Sequence, residues 1–459
     1  MSAPDPTALQ QALRGQVIPP GHPAYDDSRA IWNGMIDRRP WAIARCIGTA
    51  DIQACLRYAL EHDLPFTVRG GGHNIAGLAV ADDALMIDLS GMRGAWVNRG
   101  AGTVRVQPGA TLGDIDRETQ LHGLAAVLGF VSNTGATGLT LGGGFGYLTR
   151  EYGWTCDNVT SAELVTAEGR LVRASETENA DLFWGLRGGG GNFGIVAGMD
   201  HKLYPVGPEI VGGLIAWKAE DADAVLEMFR NVTVNAPREL TCAALMRKAP
   251  PAPWLPPEMH GQPIVGIVLC HSGPVEQAEA DVSAIIHHGS PVGSVVQRRS
   301  YVSQQSILDA TQPNGRRYYW KSEYLPGLDS DLLRSYRDYG ERIESPHSAI
   351  LLFQVGGAVA DLPEDHSPMG NRDARYVLNI TASWEGAEED ERHIGWARDA
   401  WASMRGFSTG GTYVNFLTED DGIDRIRDAY GAHYDRLVEV KTRWDPANVF
   451  NANKNIAPR

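Results

Sequence analysis

Phe66-Thr-Val-Arg-Gly-Gly-Gly-His-Asn74 sets an apolar, β-favouring run directly against three glycines and a histidine. Phe66-Thr-Val68 reads as a strand, and glycines at its end let bare backbone approach a ligand closely. Upstream, residues 41–46 (WAIARC) read as another strand. Residues 50–62 read as a helix, because Ile52, Cys55, Leu56, Ala59 and Leu60 recur at helical spacing. Thr49 is the expected N-cap, with Asp51 in the first turn. This makes a βαβ-like opening whose second strand ends in a loop suited to ligand approach.

Three more glycine knots follow: Thr134-Gly-Ala-Thr-Gly138, Leu141-Gly-Gly-Gly-Phe-Gly146 and Arg187-Gly-Gly-Gly-Gly-Asn-Phe-Gly194. Repeated runs of this kind after strands line a cleft with backbone N–H groups, which suits a pyrophosphate and hence a nucleotide cofactor. A nicotinamide-binding unit would need its glycines between a strand and a helix. Ile195-Val-Ala-Gly-Met199 instead reads as a strand, and His73-Asn74 does not open a helix, so that reading fails on context. Strands are expected at 85–89 and 103–107, a helix near 111–122, and a hairpin at 162–174 turning through Ala167-Glu-Gly169.

Beyond residue 208 glycine thins. Strands at 210–217, 240–247, 263–270, 294–301, 349–359 and 375–384 alternate with helices at 219–234, 275–287, 329–343 and 387–404, the pattern of an α+β unit on an antiparallel sheet. Residues 412–417 read as a strand and 423–442 as an amphipathic helix. The 459 residues exceed one core and imply two or three domains. A formal charge of −15 disfavours nucleic acid. The sequence has no apolar run long enough for a membrane span and no visible secretory signal. Its five scattered cysteines lack a C-x-x-C pair. Together these point to a cytoplasmic protein without a zinc site or disulfide framework.

The motifs Val68-Arg-Gly-Gly-Gly-His-Asn74, Val131-Ser-Asn-Thr-Gly135 with Gly138-Leu-Thr-Leu-Gly-Gly-Gly-Phe-Gly146, and Tyr152-Gly-Trp-Thr-Cys-Asp-Asn158 resemble those of a known family. Leu182-Phe-Trp-Gly-Leu-Arg-Gly-Gly-Gly-Gly-Asn-Phe-Gly-Ile-Val196 and Trp444-Asp-Pro-Ala-Asn-Val-Phe450 extend the match. The family is that of the FAD-linked oxidases of the vanillyl-alcohol-oxidase superfamily, with a PCMH-type FAD-binding domain, in the bacterial berberine-bridge-enzyme-like branch. The resemblance implies an FAD-binding domain of two α+β subdomains at 1–207, a substrate domain on an antiparallel sheet at 208–411, and a segment at 412–459 that returns to the flavin.

By the same resemblance His73 bonds covalently to the flavin. The implied cofactor contacts are Arg69, Gly70, Gly71, Gly72, Asn74, Gly77, Leu78, Val131, Ser132, Thr134, Gly135, Gly138, Gly142, Gly143, Gly144, Tyr147, Cys156, Asp157, Asn158, Gly194, Ile195, Val196, Tyr413, Asn415 and Asn453. Many relatives carry a second, cysteinyl flavin bond, but the matching place here holds Val131 or Ser132. Cys156 lies downstream of it and reads as a buried small hydrophobe. Tyr413 either hydrogen-bonds substrate, assists deprotonation or simply packs on flavin. Lys321 is either a cleft residue or an ordinary half-exposed strand lysine, and Gln354, in an apolar strand, needs a polar partner. Plant relatives place active-site tyrosines where this chain has Ile75 and Phe145, so their base network is not inherited as a unit. That departure admits a flavin protein without redox activity. Thr134, small at the position that gates oxygen in plant relatives, implies an oxidase rather than a dehydrogenase. Aromatic residues near Tyr318–Tyr324 with few basic neighbours suggest an uncharged or cationic cyclic substrate; an anion site, if there were one, would use Arg316 and Arg317.

Overall fold

A computed structural model describes residues 4–459 as an α+β molecule built on three principal sheets. The first has the strand order Gln16–Ile18, Ala42–Arg45, Leu85–Asp88, Phe66–Arg69, the last three parallel. The helix Thr49–Glu61 makes the crossover, burying Ile52, Cys55, Leu56 and Ala59 in one cluster with Ala44 and Ile87. Gly48, not Thr49, holds its N-cap position, and no side chain caps it. The Asp51 carboxylate turns back instead, accepting from the N–H groups of Ile47, Arg14 and Gly15. It thereby ties the N-terminal segment to the sheet.

The second sheet is antiparallel, in the order Ala95–Asn98, Thr103–Val106, Ile195–Lys202, Val159–Val165, Leu171–Ser175. Its expected hairpin closes where Thr166 N–H donates to Arg170 O. The C-terminal region packs on this sheet, with Val414, Leu417, Leu437 and Val440 in one cluster with Leu164, Phe183 and Val196.

The third and largest sheet is also antiparallel. Its order is Gly293–Ser294, Glu209–Lys218, Pro263–His271, Leu240–Lys248, Ala349–Gln354, Tyr376–Trp384, Arg317–Leu325. Side chains alternate between its faces, as the pleat requires. Ala244, Met246, Ile350, Leu352, Leu378 and Ile380 pack with residues of the helices Ala222–Asn235, Ser330–Glu341 and Asp390–Met404. Leu245, Arg247, Ala349, Leu351, Phe353, Asn379 and Thr381 point the other way, into a cavity.

Besides the N-cap, several sequence expectations need correction; the helix expected at 275–287, for one, is two, Val275–Asp281 and Ser283–Ile286. Residues 412–417 form no strand: Val414–Phe416 is a 3-10 turn closed by Phe416 N–H on Tyr413 O. The strand from 349 stops at Gln354, because Gly356 adopts a φ of +83°, a left-handed conformation that a strand cannot continue through. The segment 294–301 is two short strands, 293–294 and 297–300. The helix expected at 423–442 is two helices, Ile423–Tyr430 and Tyr434–Trp444, parted at Gly431–His433. No helix among the described residues is long and apolar enough to cross a membrane.

Candidate active site

A cavity of about 380 Å³ lies between the glycine loops and the free face of the large sheet. On the loop side its wall is Gly70–Asn74, Leu78, Val131, Thr134, Gly135, Gly138, Gly142 and Gly194–Val196. The loops at 70–72 and 134–135 cross in contact. A Cβ on Gly71 would fall 2.5 Å from Gly135 N and Cα, so neither glycine accepts a side chain. The N–H groups of Gly70, Gly71, Gly72 and His73 meet no acceptor among the described residues. Such successive free N–H groups form an anion-binding nest. A Cβ on Gly138 or Gly191 would meet nothing, because both face open cavity. The Tyr430 hydroxyl and Asn453 Oδ1, also in the wall, are buried without partners. Free N–H donors, bare backbone and orphaned polar atoms along one channel fit a dinucleotide cofactor carrying a pyrophosphate.

Arg69 fixes the first loop from behind. Its Nε and Nη2 donate to the two oxygens of Asp88 at 2.9 and 2.6 Å, and its Nη1 donates to Ser28 O at 2.6 Å. Burial alone would raise the Asp88 carboxyl; the Arg69 hydrogen bonds and charge overcome it and hold the group below its usual range.

His73 projects from this loop with its ring stacked on Trp32, centroids 4.4 Å apart. Its Nε2 is 3.2 Å from Asn133 Oδ1. That contact and the stack on Trp32 fix the orientation of the ring. Loss of hydration pushes the imidazole down to about 4, so it is neutral at physiological pH.

Opposite, Tyr413 is buried and its hydroxyl accepts from Gly144 N–H at 3.0 Å and from Asn415 Nδ2 at 2.8 Å. Burial raises its pKa, so the phenol keeps its proton. Around it stand Phe145, Phe416, Phe130 and Phe353. Phe145 meets Tyr413 edge-on at 5.0 Å, and Phe130 stacks on Phe353 at 4.7 Å. Trp320 reaches the same box through Phe416, at 5.0 Å.

The sequence matches the family described as FAD binding domain over residues 40–175, and the one described as Berberine and berberine like over 412–457. Among curated proteins, (R)-6-hydroxynicotine oxidase of Paenarthrobacter nicotinovorans is 30% identical over 468 residues, covering 98% of each chain. The chain belongs to the berberine-bridge-enzyme-like FAD-linked oxidases. An FAD-linked oxidoreductase of Dictyostelium discoideum is 29% identical over 98% of this chain and 96% of its own. The crystal structure of 6-hydroxy-D-nicotine oxidase from Arthrobacter nicotinovorans superposes with a TM-score of 0.87 at 27% identity, over 97% of this chain and 98% of that one. Xylooligosaccharide oxidase from Myceliophthora thermophila shares the fold, with a TM-score of 0.85 at 22% identity and 99% of each chain covered.

Within this berberine-bridge-like frame, not every residue singled out from the sequence reaches the cavity. Lys321 points to the opposite face from Trp320. Its Nζ donates to Asp421 Oδ1 at 2.7 Å and to Thr418 Oγ1 at 3.2 Å, a buried ion pair outside the cavity wall. Gln354 finds its polar partners between sheet and helix, accepting from Cys242 N–H and donating to Thr233 O of the helix Ala222–Asn235. Asp157 is held by Arg372 in a two-pronged pair at 2.7 and 3.0 Å, and Asn158 donates to Tyr152 O and Trp154 O. Both brace the turn behind the glycine loops.

Cys156 is fully buried, its backbone N–H on Gly143 O, and burial keeps its thiol protonated. Tyr147 is buried in an apolar cluster, and Gly77 packs against Ile36. Ser132 turns outward, its N–H and Oγ on Asp309. Gly143 and Gly144 shape the loop that carries Phe145.

Sequence reasoning missed Trp32 under His73 and the polar residues of the sheet face, Arg247, His347, Asn379 and Thr381. Arg247 brings a basic group to the cavity from a strand remote in sequence from Tyr318–Tyr324. Arg317, proposed for an anion site, is instead paired to Asp390.

Proposed function

We propose that this FAD-linked oxidase carries its flavin covalently on His73 through Nδ1, oxidises a small organic substrate at a C–H bond in the aromatic box, and uses O2 as acceptor with release of H2O2. The observation that carries the reading is His73 itself, neutral, oriented by Asn133 and Trp32, and joined to four free backbone N–H groups. FAD, when bound, supplies the hydride acceptor that no side chain can provide. The N–H groups of Gly70–His73, with Tyr430 and Asn453, hold its polar parts, and among the described residues no cysteine stands in the cavity wall for a second bond. The proposed division of labour follows 1–207 for FAD binding, 208–411 for substrate and 412–459 for closing the flavin site.

The aromatic box excludes water from the reacting carbon. Tyr413, with both lone pairs engaged, has only its proton to offer, so it donates a hydrogen bond to substrate rather than accepting a proton. Asn415 holds Tyr413 in place. Among the described residues no Asp or Glu lines the cavity, so no carboxylate stands there as a base. Thr134 borders the cavity with a small side chain that leaves room for O2. Five free, buried thiols agree with a reducing, cytoplasmic setting.

A denaturing gel tests the covalent bond: flavin fluorescence stays with the wild-type band and is absent from His73→Ala. Air reoxidation of the reduced enzyme tests the acceptor. Slow reoxidation beside fast turnover on quinones or dyes would replace the oxidase with a dehydrogenase.

A further inference from the structure

Among the described residues, the cavity wall contains cationic or ionisable nitrogen groups but not one carboxylate. Most of those groups have a stated occupation: His73 is given above to the flavin, and Lys454 Nζ donates to Thr418 O. Arg247 is different. It emerges on the cavity face of the strand Leu240–Lys248, and its guanidinium donates only to two carbonyl oxygens, of Lys248 and Pro346, both at 3.1 Å. Three of its five N–H donors remain unassigned. Its charged neighbours give no compensation. Arg316 faces it with a second positive charge and binds only Thr311 O, while His347, in the same wall, pairs with the exposed Glu385. A half-buried guanidinium among cations, with open donors toward a cavity, is arranged for an anion.

From this we infer that the cavity selects a substrate bearing a carboxylate, which Arg247 grips with support from Arg316, while the oxidised carbon lies in the aromatic box beside Tyr413. The inference rests on the assignment of this cavity as the substrate site.

The sheet register gives the spacing. Arg247 pairs with Ala349, Ala349 with Thr381, and Thr381 with Trp320, which abuts the box. Three strand spacings put Arg247 on the order of 14 Å from Trp320. Along the strand, Ala349 to Phe353 is four residues, on the order of 13 Å. Allowing for the reach of the arginine, the carboxylate and the reacting carbon are about 10 Å apart. That separation fits an elongated, ring-bearing acid with its reactive carbon remote from the acid group. Asn379 and Thr381, on the strand between, offer neutral hydrogen bonds to the middle of such a molecule.

The test is calorimetric titration of the flavin-loaded enzyme with benzoate, naphthalene-2-carboxylate and biphenyl-4-carboxylate, each against its neutral carboxamide. The expected result is that the longer acids bind about tenfold or more tightly than their amides, as for a charge-assisted pair. In Arg247→Gln the ratio falls to about one, and Arg247→Lys retains part of it. A wild-type panel in which no acid outbinds its amide, or a ratio that survives in folded Arg247→Gln, overturns the inference. The wild-type ratio decides even if Arg247→Gln fails to fold. Flavin absorbance is read separately on the purified protein: a preference for acids by protein that takes up no flavin would refute the cofactor assignment and leave the anion site standing.

Discussion

Tyr413→Phe removes one oxygen from the centre of the site and leaves the ring in its aromatic box. In the native fold that oxygen accepts two hydrogen bonds, at 3.0 Å from Gly144 N–H and at 2.8 Å from Asn415 Nδ2. Asn415 keeps a partner after the change, since its Nδ2 also donates to Leu139 O at 3.1 Å. Gly144 N–H loses its only acceptor in a buried loop, at a cost of about 1–3 kcal/mol. The loop's φ of +81° at Gly144 leaves little room for the amide to turn toward another partner. The catalytic loss is separate. A donated hydrogen bond to substrate of about 1–2 kcal/mol corresponds to roughly 5- to 30-fold in kcat/KM.

Because burial raises the Tyr413 pKa, the phenol stays protonated across the working range, so the loss should be the same at about pH 7 and about pH 9. Steady-state oxygen consumption at both pH values measures the catalytic effect, and thermal melting read by flavin fluorescence measures the structural one. A loss confined to alkaline pH would show a phenolate base and refute the donor assignment. An unchanged kcat/KM with an unchanged melting temperature would refute both hydrogen-bond roles.

Lys321→Met leaves the buried Asp421 without its cation and is expected to destabilise by about 3 kcal/mol or more, while kcat per bound flavin stays as in wild type; a collapse of kcat in folded, flavin-loaded protein would return Lys321 to the site. Thr134→Leu fills the small gap in the cavity wall and should slow air reoxidation more than substrate reduction, read by stopped flow. Asp88, whose folded pKa lies below its unfolded value of about 3.9, contributes stability that is present above that value and is lost as pH falls through the folded one. Acid denaturation followed by circular dichroism should therefore lose part of its slope below about pH 4 in Asp88→Asn, and an identical slope would refute the linkage.

The loop half of the site could be read from the sequence because its chemistry is local. Glycines beside a strand, a histidine at the end of the run, and Thr134 and Gly138 four residues apart keep their meaning without tertiary information. The sheet half could not. Residues 245 and 247, 349–353, and 379–381 come together only through antiparallel register, and a strand buried on both faces carries no hydrophobic alternation to say which side chains point inward. Lys321 and Trp320 illustrate the cost: adjacent in sequence, they lie on opposite faces, and only the tryptophan reaches the cavity. The missing strand at 412–417 has another cause. Thr412 bonds Ser322 through its side chain and Val414–Phe416 coils into a turn, so that segment is fixed by tertiary contacts its own pattern does not announce.

The alternation along the large sheet also separates two kinds of evolutionary freedom. Even-numbered positions such as Met246, Ile350 and Ile380 face the helices and are constrained by the density of the core. Their odd-numbered neighbours, Arg247, Leu351 and Asn379, line the cavity on the opposite face. A single base change can thus exchange a charge for an amide, or a leucine for an aromatic, on the cavity side while the helix side of the same strand stays packed. On the proposed reading the glycine loops grip the cofactor from an independent part of the chain, and this sheet works as an interchangeable plate. New substrate preferences can arise from substitutions at alternate positions, without the loop insertions that folds with loop-built pockets require.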